Sequence, residues 1–146
     1  FNYRMNDIQE GLGISQLQKL EEFIDKRHQI ANLYNSELST IGISLPYQDI
    51  KTYSSYHLYP IRVSKKKGGI IQRKLFDYLR GKNIGVNLHY IPIYRHPYYR
   101  ELGFKKGYCE EAENHFKEVI SLPMYSGLRK KEQKFVINSI KQFYKN

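Results

Sequence analysis

The sequence predicts an α+β domain: a short, mostly antiparallel sheet with helices packed against one face and a long helix at its amino-terminal end. Three observations carry this expectation. Apolar residues recur at threes and fours between residues 6 and 38, and again between 130 and 144. Stretches that are aromatic and β-branched, or that alternate apolar with polar, lie at 55–63, 84–88 and 119–122. Glycine, proline and lysine clusters separate these segments into an alternating order of strand and helix.

The first element starts at Asn6. Its side chain can accept from exposed amides of a first turn while Gln9, three positions on, reaches back. Ile8, Leu12, Leu17, Leu20, Phe23, Ile24, Ile30, Leu33, Tyr34 and Leu38 then mark one face of a helix over 6–38, with Glu21, Asp25 and Lys26 between them. A continuous helix of that length would span about 50 Å, more than a small domain needs, so it is expected to link two domains. Gly11 and Gly13 weaken its first turns by about 1 kcal/mol each relative to Ala, which predicts close contact there with further protein.

After a turn at Gly42, residues 55–63 form a predicted strand in which Pro60 requires an edge or a bulge. His57 and Tyr59 alternate onto one of its faces. Residues 65–69, three lysines and two glycines, read as a solvated loop. Ile71, Leu75, Tyr78 and Leu79 follow at helical spacing until Gly81. Ile84, Val86 and Leu88 alternate with Gly85, Asn87 and His89 in a second strand, and 90–107 reads as an ordered loop suited to function. A short helix over 109–117, a third strand at 119–122 stopped by Pro123, and a closing helix over 130–144 complete the order. Phe135, Val136, Ile140 and Phe143 are expected on the inner side of that last helix.

A chain of 146 residues has room for one domain with its own core. Lys and Arg total 24 against 14 Asp and Glu, a net charge of +10 that would attract nucleic acid, acidic membrane or a diphosphate. Abundant Lys, Ile, Asn and Tyr also fit a coding bias toward A and T, which makes part of that excess background. The basic residues at 65–67, 73, 74 and 129–131 are scattered and no nucleic-acid motif accompanies them, so no nucleic-acid partner is expected. A basic binding module and a ligand-free dimerisation domain built on the first helix remain the rival readings. No apolar run approaches the roughly 20 residues of a membrane span, and the first ten residues show no leader. The single Cys109 can form neither an internal disulfide nor a cysteine metal cluster, so a cytoplasmic setting and no metal are expected. The chain opens on Phe1 with helix-forming residues close behind, which predicts a piece of a longer polypeptide.

Phosphate-cradling glycine loops, serine elbows and paired metal-binding histidines are absent from the sequence. Five segments nevertheless occur in a telling order: FNYRMNDI at 1–8, LGISQL at 12–17, SYHLYP at 55–60, GVNLHYIP at 85–92 and ISLPM at 120–124. In this order and at these intervals the chain resembles the DegT/DnrJ/EryC1/StrS family of nucleotide-sugar aminotransferases, which depend on pyridoxal phosphate. The resemblance runs nearly end to end and loosens at 65–69.

The resemblance implies that residues 1–146 are the carboxy-terminal small domain of a fold type I aminotransferase, with 6–38 as the linking helix within it. Its partners would be its own amino-terminal large domain and a second subunit of a homodimer. The lysine that binds the cofactor as an aldimine, the aspartate facing the pyridine nitrogen and the aromatic residue stacked on the ring would all precede Phe1. This piece alone is therefore expected to be inactive. By the same resemblance Asn2 donates to the cofactor phosphate in the neighbouring subunit, in keeping with an amide that supplies two donors without adding charge. Arg4 ties the same turn or faces the substrate phosphates. His89 and Tyr90 are the first candidates for contacts to the nucleotide sugar, His57 with Tyr59 the second. Tyr98, with Arg95, His96 and Tyr99, is placed over the diphosphate. The segments around His89 and Tyr98 are most similar to the branch of the family serving pseudaminic acid synthesis. That branch implies transfer of an amino group from glutamate to the 4-keto position of a UDP-linked deoxy sugar.

Overall fold

The computed structural model describes residues 3–63 and 68–145. Its elements are helices α1 (Asp7–Leu17) and α2 (Leu20–Leu38), strand β1 (Tyr59–Arg62), helices α3 (Gly68–Gly81), α4 (Pro97–Glu101) and α5 (Glu110–Glu118), strand β2 (Val119–Leu122) and helix α6 (Lys130–Lys145). The sheet is antiparallel, with Tyr59 opposite Leu122 and Arg62 opposite Val119. Single bridges extend it on both edges, Ser44 to Arg62 and Asn87 to Ser121. Tyr59, Ile61, Ile120 and Leu122 alternate onto the face that joins Tyr34, Leu38, Leu75, Leu79, Val136 and Ile140 in the main core. β2 is buried at all four positions, so cover extends beyond the single face expected of the helices.

Pro60 sits where its missing N–H does least harm. Val63 N donates to Glu118 O while Arg62 exchanges bonds with Ser44, so even-numbered residues of β1 face away from β2. Among the described residues the Ser44 bridge is the contact on that outer edge, and Pro60 lies beyond it.

The predicted helix over 6–38 is two helices. The capping box at Asn6 forms as read, with Gln9 N to Asn6 Oδ1 at 2.9 Å and Asn6 N to Gln9 Oε1 at 3.0 Å. At Lys19, however, φ is −101° and ψ 1°, and its N–H reaches back only three residues to Gln16. α1 buries none of its residues, so no packing holds that junction helical. Ile8, Leu12, Ile14 and Leu17 are exposed, and beyond the adjacent residues and the helix's own backbone no described atom lies within 4 Å of a Cβ at Gly11 or Gly13. Only the second half of α2, through Ile30, Ala31, Tyr34 and Leu38, enters the core.

Buried polar side chains fasten the helices at defined points. Gln133 of α6 donates to Ile30 O at 2.7 Å, and Gln72 of α3 donates to Phe116 O and Val119 O at 2.7 and 2.8 Å. Tyr34 OH donates to Pro123 O at 3.1 Å. Each satisfies a carbonyl that would otherwise be desolvated without a partner.

The predicted second strand at 84–88 pairs at Asn87 alone. Its alternation is correct, since Ile84 and Val86 are buried while Gly85 and Asn87 are exposed. Its start is fixed by the end of α3: Asn83 adopts φ +60°, Asn83 N donates to Arg80 O and Ile84 N to Leu79 O. This is a Schellman closure with Asn in the left-handed position, and Leu79 and Ile84 both belong to the core it seals.

Residues 90–107 are ordered, as expected, by a 3₁₀ turn at Ile93–Arg95, by α4 and by a buried carboxylate. Glu113 of α5 accepts from Gly107 N and from Tyr94 OH, each at 3.1 Å, and faces Arg95 Nη1 at 3.5 Å. The Gly107 amide above all, with Tyr94 and Arg95, holds its carboxyl below the usual carboxylate range. A depressed folded pKa means that the stabilisation is present above the unfolded value of about 4.3 and is lost as pH falls through the folded one. Glu113→Gln is therefore expected to lower the midpoint of thermal unfolding at pH 7 and to flatten its fall in acid. An unchanged acid limb would show that Glu113 does not hold the loop. The loop predicted at 65–69 includes residues 65–67, which lie outside the described residues, and Gly68 and Gly69 open α3.

Candidate functional site

A cleft of about 730 Å³ lies where the approach to β1, the 83–89 segment, the exit of β2 and the start of α6 meet. Each wall follows from local sequence. Pro123 cannot continue β2, so the chain turns outward there. Glu132 caps the start of α6, its carboxylate accepting from Arg129 N at 3.0 Å and pairing with the Arg129 guanidinium. Arg129 in turn draws the Glu132 carboxyl below its ordinary range.

His57 and His89 enter this cleft from segments more than thirty residues apart. His89 Nδ1 lies 2.9 Å from Ser121 Oγ on β2, which fixes the ring and leaves Nε2 to meet a ligand. The ring of Tyr90 stands edge-on to His89 at 4.5 Å, across a cis peptide bond, and is exposed. His57 follows Tyr56, whose φ of +45° turns the chain just before the strand. The turn is held by Arg27 of α2, which donates to Tyr56 O at 2.8 Å and His57 O at 3.1 Å. His28 supports it further, meeting Ser54 O at 2.8 Å and stacking on Tyr53. This turn shortens the strand expected at 55–63 and separates His57 from Tyr59. His57 is exposed on the cleft, whereas Tyr59 is wholly buried against Tyr34 with its hydroxyl on Asn35.

The other wall of the cleft is apolar, with Leu122, Met124, Leu128 and Phe135. Phe135 was expected inside α6 but is half exposed, because Val136, Ile137 and Ile140 carry the inner face. Arg129 and Lys131 bring charge to the rim. Sequence spacing missed Ser121 and Arg27, and it offered Arg129 and Lys131 only as nucleic-acid contacts; of the four, Ser121 alone lies within one of the five recognised segments. Arg4 is exposed ahead of α1 and Tyr98 is exposed on α4, and neither lines the cleft. Asn2 lies outside the described residues. Among the described residues no cluster of three potential ligands suits a metal ion, and no helix is long and apolar enough to cross a membrane. Of the residues considered for nucleic acid, Arg73 is paired with Asp77 and Arg129 with Glu132.

An imidazole pair, a cationic rim and an apolar wall make a site for a polar, partly hydrophobic small molecule. The model of the DegT/DnrJ/EryC1/StrS aminotransferase family matches residues 1–141, and the chain belongs to that family. It is 37% identical over 96% of its length to the UDP-4-amino-4,6-dideoxy-N-acetyl-beta-L-altrosamine transaminase of Campylobacter jejuni, of which it covers 37%. It is 32% identical over 98% of its length to the spore coat polysaccharide biosynthesis protein SpsC of Bacillus subtilis, covering 38% of that protein. Among solved structures, Helicobacter pylori PseC, an aminotransferase involved in the biosynthesis of pseudoaminic acid, superposes with a TM-score of 0.89. That match has 28% identity and covers 99% of this chain and 39% of PseC. The chain thus spans less than two fifths of the length of these relatives.

Proposed function

We propose that this chain is the substrate-facing small domain of a pyridoxal-phosphate-dependent nucleotide-sugar aminotransferase that works in the cytoplasm as a homodimer. The proposed reaction moves an amino group from glutamate to the 4-keto position of a UDP-linked deoxy sugar destined for a cell-surface or flagellar glycan. The observation that carries this reading is the convergence of His57 and His89, read from two separate family segments, on one cleft with an apolar wall.

The described residues do not by themselves make a site for the cofactor. Its phosphate needs several donors at one point, and the cleft's guanidinium, Arg129, is already paired with Glu132. Lys131 is exposed at the start of α6, without the desolvated setting of a lysine nucleophile. Asn2 is proposed to reach the cofactor phosphate of the neighbouring subunit and Arg4 to meet substrate phosphates, with the remaining groups supplied by the part of the relatives' length that this chain does not span. The exposed apolar residues of α1, Ile8, Leu12, Ile14 and Leu17, support a contact with that part. What the present residues do is orient and shelter the sugar: His89, fixed by Ser121, and His57, fixed through Arg27, offer ring nitrogens for hydrogen bonds. Leu122, Met124 and Phe135 exclude water from the deoxy edge.

The test is incubation of the intact protein with pyridoxal phosphate, glutamate and a UDP-linked 4-keto-6-deoxy-N-acetyl sugar, with mass spectrometry of the sugar. An amino sugar formed one-for-one with 2-oxoglutarate is expected, and none from residues 1–146 alone. Failure of the intact protein to aminate any nucleotide-linked keto sugar would sink the reading.

A further inference from the structure

Residues 53–57, which carry His57 to the cleft, make no backbone–backbone hydrogen bond among the described residues. The ladder of β1 with β2 begins only at Tyr59. The turn is also unfavourable in itself: Tyr56 takes φ +45°, a left-handed conformation that crowds the Cβ of an L residue, and its ring is buried. Side chains therefore hold what the backbone does not. We propose that Arg27 and His28 of α2 are positioning residues for the sugar half-reaction, which aim His57 into the cleft by restraining this turn. What His57 meets there is taken from the proposed function; the restraint stands on contacts within this chain.

Arg27 directs Nη1 at two successive carbonyls, Tyr56 O at 2.8 Å and His57 O at 3.1 Å. Two carbonyl oxygens aimed at one point repel each other, and a cation between them offsets that repulsion. Arg62, Arg73, Arg95 and Arg129 each meet an acid within 4 Å, whereas Arg27 forms no such ion pair among the described residues, which leaves its charge to the turn. A lysine would bring a point charge in place of the planar fork.

His28 secures the other end. Its Nε2 lies 2.8 Å from Ser54 O, and because a carbonyl only accepts, that nitrogen carries the proton. The ring stacks on Tyr53 at 4.5 Å and meets Tyr56 edge-on at 4.9 Å, so it is wedged between side chains from either side of Ser54. Ser54 Oγ accepts in turn from Tyr56 N at 3.1 Å. Arg27, His28 and Ser54 thus converge on Tyr56, the residue with the unfavourable φ, one position before the imidazole. His89 is held differently, through Ser121 on the sheet, so loss of Arg27 is expected to disturb one imidazole of the pair and spare the other.

The test is a double-mutant cycle in the intact protein. Arg27→Gln is expected to lower kcat/KM for the sugar nucleotide by on the order of tenfold, with the glutamate half-reaction at the parental rate. In a His57→Ala background the same substitution should cost no more than about twofold further, because the group it positions is gone. Arg27→Lys keeps the charge and loses the fork; it is expected to fall between the parent and Arg27→Gln, and it carries the cycle if Arg27→Gln does not fold. His28→Phe keeps the stack and loses the bond to Ser54, so a smaller loss in the same parameter is expected. Additive losses for Arg27→Gln and His57→Ala, or equal losses in both half-reactions, would mark Arg27 as a support of the fold alone and overturn the proposal. The imidazole resonances of isotope-labelled histidine give a readout independent of turnover: that of His57 should move in Arg27→Gln and that of His89 should not. If the intact protein aminates a nucleotide sugar while the His57 resonance stays in place, the positioning role fails and the proposed function stands. If no sugar is aminated but the His57 resonance alone moves, Arg27 stands as the residue that positions His57 and the proposed function fails.

Discussion

Tyr34→Ala is expected to destabilise the chain by about 3–5 kcal/mol, the range for removing a large aromatic side chain from a packed core. Tyr34 is fully buried, its ring lies 4.9 Å from that of Tyr59, and its hydroxyl holds Pro123 O at the point where β2 gives way to the cleft. Removing the ring therefore opens a cavity between α2 and the sheet and frees one cleft wall. Tyr34→Phe keeps the packing and loses one hydrogen bond, a cost of about 1 kcal/mol. Urea unfolding of the three proteins separates the two contributions; a Tyr34→Ala loss below that of Tyr34→Phe would show that the ring does not anchor α2. Burial also pushes the phenols of Tyr34 and Tyr59 well above their ordinary value. In the unfolded chain both ionise near pH 10, whereas in the folded chain they remain neutral. Their contribution is thus complete below about pH 10 and declines as pH rises beyond it. Phe at both positions should remove that alkaline decline.

His89→Ala in the intact protein is expected to lower kcat/KM for the sugar nucleotide by about 10- to 100-fold, as loss of a hydrogen bond to a charged or reacting group does. The half-reaction with glutamate should proceed at the parental rate, because the proposed cleft holds the sugar. Ser121→Ala keeps the imidazole but releases its Nδ1, so a smaller loss in the same parameter is expected. Stopped-flow absorbance of the two half-reactions distinguishes these cases. Equal losses in both, or none in the sugar half-reaction, would remove His89 from the substrate site.

The periodic signals were readable wherever burial follows one face. Asn6 and Gln9, the apolar stripes of α3 and α6, and the run 119–122 correspond to elements that form. Boundaries were lost where conformation depends on a single dihedral angle. Nothing in the letters around Lys19 or Tyr56 announces a break, and both positions interrupt a predicted element. The segment 84–88 alternates because Ile84 and Val86 pack inward, a pattern that a ladder and a lone bridge produce equally. Gln72, Gln133 and Glu113 escaped notice because a polar letter on an amphipathic helix reads as solvent-facing, although all three are buried and bonded. His57 and His89 were legible only through the family segments; Arg27, which acts from a distant helix, was not. Phe135 misled because an aromatic at helical spacing scores as core whether its face meets protein or a cleft.

The double hydrogen bond from Arg27 to the Tyr56 and His57 carbonyls has a mechanical consequence. α2 is anchored deep at its carboxy-terminal half and solvent-facing at its first turn, so it resembles a lever with its fulcrum near Ile30. Any load on the free arm is delivered through one guanidinium to the backbone that aims the imidazole.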